Sequence, residues 1–182
     1  TGTVSYIDGD RVLAFGHPMF QSGEAYAPGA TAEVHAVVAA ASFPFVLASP
    51  QREIGALLQD RQSMIMADTR FRSAMLPVGI EISLPASGGK RLTKTFNVEV
   101  MQDPSMTASL AAAATVSALE LYVPDIGDVV LKIESTLQLR GLPPLTFVDW
   151  TYSATGAADA LIAFRALRLI SPLMRNPFIK VP

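Results

Sequence analysis

His17 is the residue best placed for chemistry in this sequence. It ends the run Val12-Leu13-Ala14-Phe15-Gly16-His17-Pro18. Gly16 frees the backbone before it and Pro18 fixes the backbone after it, so the imidazole is held at a bend. An imidazole titrates near neutrality and can carry a proton as a general base. To act so it needs a carboxylate or carbonyl that sets its tautomer. The plainer alternative is a histidine bonding locally within a turn. Asp60, in Gln59-Asp60-Arg61, is the acidic candidate for an orienting group. Against it stands an Asp–Arg pair that fixes a strand or turn, which is the preferred reading. Arg61 is a candidate anchor for a substrate carboxylate, or equally for a loop. Thr1 is a separate candidate, because an N-terminal threonine can be a nucleophile with its own amine as base. A segment boundary is the preferred reading of Thr1.

Other chemistries find little support. Two histidines without a His-x-x-x-His spacing, and zero cysteines, predict no metal site and no cofactor. Glu24 and Glu33 are too few for a metal cluster, and Asp8 and Asp10 read as turn residues. His35 reads as a core histidine in an apolar run. Ser87-Gly88-Gly89-Lys90 lacks the upstream glycine of a phosphate loop and reads as a hairpin turn. A net charge of −2 over 182 residues argues against a nucleic-acid partner. The most apolar run, 34–49, falls short of the roughly 20 residues that span a bilayer, so it is assigned to the core and no transmembrane segment is expected.

The elements that must position His17 follow from periodicity. Val4 and Tyr6 alternate with Thr3, Ser5 and Ile7, and Asp8-Gly9-Asp10 supplies a tight turn into the strand that carries His17. Residues 19–31 hold Gly23, Pro28 and Gly29 and are expected to form a loop. Residues 32–41 are ambiguous between helix and strand. A short apolar run from Phe43 stops at Pro50. Residues 52–66 read as one strand, bulged at Gly55. Residues 73–84 and 92–101 alternate and form a hairpin. Asp103-Pro104 then signals a helix start, with a helix over 108–121 ended by Pro124. A second hairpin spans 128–152. A second helix over 157–170 is closed by Pro172, with Leu161, Phe164, Leu167 and Ile170 on one face. Residues 176–182 look like the start of another strand.

These residues also carry a resemblance. Gly2-Thr3-Val4, Tyr6-Ile7-Asp8-Gly9 and Ala14-Phe15-Gly16-His17-Pro18 resemble the opening of the SpoIVB-type serine peptidase domain. Ala32-Glu33-Val34, Gln59-Asp60-Arg61, Leu76-Pro77-Val78, Asp103-Pro104, Arg140-Gly141-Leu142-Pro143-Pro144 and Asn176-Pro177-Phe178 extend the likeness over most of the chain. The resemblance implies a trypsin-like β-barrel, a bacterial envelope location and His17 as the catalytic base. It also implies a serine nucleophile in a Gly-x-Ser-Gly-Ser-Pro element, which this sequence does not contain. In envelope-type members that element precedes the Gly-Thr-Val strand.

The sequence thus predicts an α+β fold, mostly β. It is divided into a β domain over 1–102 and a helix–hairpin–helix extension over 103–182 that continues into a further region. The leading expectation is a fragment of a SpoIVB-like serine peptidase domain that contributes the base, with a polypeptide substrate. The competing expectation is a non-catalytic structural or protein-binding module with the same fold. A third is self-processing at Thr1.

Overall fold

A computed structural model of the chain describes residues 2–39, 44–123, 127–160 and 164–178. It is mostly β with a few helices, an α+β fold. The chain divides into two compact units, Thr1–Ala74 and Met75–Pro182. The boundary falls earlier than the sequence suggests. The hairpin over 75–101 buries its inner face against the helices that follow.

The first unit is one open antiparallel sheet in the order β1-β2-β5-β4-β3. Its strands are β1 (Val4–Asp8), β2 (Arg11–Ala14), β3 (Gly23–Val38), β4 (Phe45–Arg61) and β5 (Met64–Asp68). Asp8 pairs with Arg11 across a two-residue turn, with Gly9 at φ 57°. Ala14, Leu57 and Ile65 form the buried core, with Phe15, Ala25 and Ala27 packed against it. Gly55 sits at φ 155°, and a Cβ there would run into the Asp68 carbonyl oxygen and the Thr69 backbone. The sheet therefore closes tightly only because this position has no side chain. The register of β3 on β4 slips beside Gly29, opposite Gly55, which agrees with the bulge read there.

Several expectations fail in this unit. The loop expected over 19–31 becomes strand from Gly23 onward, and Pro28 lies inside it. Because β3 is an edge strand, a missing N–H can face solvent there. The strand read over 52–66 is broken by a turn at Gln62 and Ser63, and its first half runs back through Pro50 to Phe45. The described residues of the run 34–49, assigned to the core, are instead mostly exposed. β5 reaches only the Ala56–Arg61 part of β4. Beyond it, β3 and β4 continue as a two-stranded ribbon. Val37 opposite Val46 and Val38 opposite Phe45 put apolar side chains on both of its faces. Val37 is 72% exposed and Phe45 56%. His35 is exposed too, its Nε2 2.8 Å from the Ser49 hydroxyl.

Among the described residues the second unit holds two hairpins and three α-helices. Strands β6 (Met75–Pro85) and β7 (Arg91–Met101) pair without a slip, as do β8 (Val129–Leu137) and β9 (Leu145–Ser153). Helix α1 (Thr107–Glu120) follows the first hairpin, and α2 (Ala157–Ala160) and α3 (Arg165–Met174) follow the second. Ile82, Ala118, Leu119, Val123, Ala157 and Phe164 form their common core. The Asp103 carboxylate accepts from the N–H groups of Ser105 at 2.7 Å and Met106 at 2.9 Å. It thus caps the turn that leads into α1, as an acidic residue before Pro104 predicts.

The single helix expected over 157–170 is two pieces. Phe164 between them is extended at ψ 111° and plugs the core. Pro172 does not close α3, which runs on to Met174. Arg165 is fixed at the start of α3. Its Nε donates to Asp149 Oδ1 at 2.6 Å, and its guanidinium lies 5.3 Å from the Phe147 ring centre. Leu161, Pro124 and most of the strand expected over 176–182 lie outside the described residues. No closed barrel forms among the described residues.

Candidate functional site

The end of β2 builds the site around His17. Ala14 is buried and paired with Ile65, and the Phe15 N–H donates to the Thr3 carbonyl at 3.0 Å. There the chain leaves the sheet. Phe15 has φ 76° and Gly16 φ 69°, and Gln21 a few residues on has φ 56°. Left-handed backbone at a bulky residue such as Phe15 costs roughly 1–2 kcal/mol and persists only where the surroundings enforce it.

Asp60 enforces it. It projects from β4, paired with Gly23 and Ile65, and is 1% exposed. Its Oδ1 accepts from the Met19 N–H at 2.8 Å, and its Oδ2 from the Phe20 N–H at 2.6 Å. The Ser22 N–H and hydroxyl both donate to Oδ2 at 3.4 Å. Burial pushes the Asp60 carboxyl up, but the N–H groups of Met19, Phe20 and Ser22 outweigh it and hold the carboxyl below the ordinary value. The residue is a charged clamp on residues 19–22 of the loop. The preferred Asp60–Arg61 pair does not appear, because successive strand residues point to opposite faces. Arg61 is exposed, and its Nε donates to Gln59 Oε1 at 2.8 Å.

His17 rides on this clamped loop, exposed to solvent. Its Nδ1 lies 2.8 Å from the Pro18 carbonyl oxygen. A carbonyl only accepts, so in this bond Nδ1 is the donor and carries the proton. The neutral ring then presents the lone pair of Nε2. The Phe15 ring lies 5.6 Å away, tilted by 39°. The arrangement is that of a proton acceptor whose tautomer is set by a main-chain carbonyl. Among the described residues no serine hydroxyl bonds to His17, and the Ser22 hydroxyl is committed to Asp60. Thr1 lies outside the described residues.

A second carboxylate works in the same way and was not singled out from the sequence. Asp68, at the end of β5, accepts from the Arg70 N–H at 2.9 Å and from its guanidinium at 2.8 and 3.1 Å. Arg70 also lies 3.3 Å from Asp10 in the β1–β2 turn. The Arg70 hydrogen bonds hold the Asp68 carboxyl down at about 2. The spacing Asp68-x-Arg70 is the only signal of this in the sequence, and it is common. Among the described residues no three His, Asp or Glu side chains group as metal ligands. No helix there is long and apolar enough to cross a membrane.

No family model matches this chain, and no curated protein or solved structure is significantly similar to it.

Proposed function

We propose that this chain is a SpoIVB-like serine peptidase module of a bacterial envelope protein, in which His17 is the general base. In this reading the sheet around β1, β2 and β5 belongs to a trypsin-like barrel. The serine comes from a Gly-x-Ser-Gly-Ser-Pro element outside these 182 residues. The observation that supports it is the His17 ring, with Nδ1 bonded to a carbonyl and Nε2 turned out on a strained loop held by a buried carboxylate. Such a base would take the serine proton on attack and return it to the leaving amine. A loop fixed just after His17 by Asp60 is the kind of preorganisation a base needs.

A second reading follows from the same carboxylate. Asp60 spends its bonds on loop N–H groups, with no bond to the imidazole, and so makes the loop a rigid recognition surface. That favours a non-catalytic module that binds a partner protein.

The experiment uses the chain expressed with its native upstream sequence, treated with a fluorophosphonate probe beside His17→Ala. Labelling at a serine that vanishes in His17→Ala is the outcome expected of the peptidase. An unlabelled, uncleaved protein in both cases selects the binding module.

A further inference from the structure

The second unit contains a cavity of about 640 Å³ that the reading above does not use. Every residue from Pro77 to Pro85 lines it, and every residue from Val130 to Leu137. Along a strand, successive side chains point to opposite faces. A cavity that meets all of them in turn meets the strand along its edge, not on a face. Among the described residues β6 pairs only with β7, and β8 only with β9. The cavity is therefore a slot between two open edges. Its apolar lining includes Leu119, Phe164, Leu167 and Ile170 from the helical side.

The prolines of β6 define what the slot can hold. A proline has no N–H, so within a paired strand its nitrogen faces away from the neighbour. Pro77 and Pro85 are partnered across the ladder by Glu99 and Arg91. Their nitrogens must then face the slot. The main-chain direction repeats every second residue, which places the N–H groups of Gly79, Glu81 and Ser83 on the open edge as well. The edge thus offers donors over a five-residue window and ends in a proline at either side. Main-chain groups that border an apolar slot without a partner are costly. An occupant must bring main-chain donors and acceptors to the edge and apolar side chains to the lining.

We infer that this slot is a binding site for an extended polypeptide segment. The segment is added as a strand against β6 over Gly79–Ser83, with alternate side chains apolar. Its length and register are set by Pro77 and Pro85. A small apolar ligand would leave the edges unpaired, and a lipid chain would too. The inference stands apart from the role of His17 and does not require peptidase activity.

The test uses the full chain and an array of nine-residue peptides, in which Val, Ile, Leu, Phe or Thr alternates with Ser, Lys or Glu. Bound members are remade with N-methyl groups on alternate amides, which removes main-chain donors and leaves the side chains. The expected result is binding that falls at least tenfold on N-methylation in one of the two alternating patterns. The same peptides should slow amide exchange at Gly79, Glu81 and Ser83. Glu81→Pro removes an outward N–H as Pro77 and Pro85 do, and is expected to lower affinity tenfold with the β6–β7 hairpin intact. If that variant fails to fold, the methylated peptides alone decide. Binding indifferent to both methylation patterns overturns the inference, and so does an array with no binder at millimolar peptide. Protection of the three amides that rises with protein concentration, without peptide, also overturns it in favour of a second copy as occupant.

Discussion

A buried carboxylate ringed by main-chain N–H groups, like Asp60, ties loop geometry to ionisation. Its folded value lies below the unfolded one, so its contribution to stability is present above the unfolded value. It is lost as the pH falls through the folded one. Asp60→Asn keeps the shape but turns an amide group towards N–H donors. A loss of about 2–4 kcal/mol in urea unfolding is expected, with amide exchange at Met19 and Phe20 at least tenfold faster. A change confined to global stability, with those amides unaffected, would remove the clamp from the account. Asp68 follows the same sign, with its folded value at about 2 against an ordinary 3.8. Its stabilisation is complete above about 3.8 and drains away as the pH drops towards 2. Arg70→Ala should flatten the acid limb of a stability profile over that range. An unchanged limb would show that the Arg70 bonds do not form in solution. At this scale the sequence was partly legible. Gly16 and Pro18 around His17 announced a fixed bend, whereas the short bonds of Asp60 come from main-chain groups some 40 residues away, which leave no residue type to read.

Single strands show why some elements could be read and others could not. Strand β7 alternates Phe96, Val98 and Val100 with polar residues, because one face is packed and the other is wet. Strands β3 and β4 defeat that logic in the ribbon, where both faces are exposed and no period is imposed. Pro28 and Pro50 look like breaks, yet each lies where its strand has only one neighbour and the missing N–H is not needed. A two-stranded ribbon is marginally stable by itself. Amide exchange over Ala30–Val38 is therefore expected to be far faster than at Leu57 and Ile65, where β4 and β5 pair within the core. Equal protection along β4 would show that something covers the ribbon in solution. Gly55→Ala forces a Cβ into the Asp68 and Thr69 backbone at φ 155°. A loss on the order of 2 kcal/mol or more in denaturant unfolding is expected, and a neutral result would mean the sheet can open there.

Over the whole chain, the α+β class followed from the alternation of hairpin and helix signals, and the order of elements in the second unit was close to the one read. The boundary was not legible, since residues 75–101 have strand patterning whichever core they serve. Ile82 decides it, buried among Ala118, Leu119 and Phe164. Ile82→Ala should cost about 2–5 kcal/mol, read as faster exchange along α1. Unchanged exchange in α1 would break the link between hairpin and helix.

The strand order of the first unit also dictates how it can be built. β5 is the last of its five strands along the chain and yet occupies the middle of the sheet, between β2 and β4. Until Met64–Asp68 emerges from the ribosome, β1–β2 and β3–β4 are two detached hairpins, each too small to persist. The five-stranded sheet therefore cannot be joined until β5 is in place, and a chain stopped before residue 64 leaves two separate hairpins.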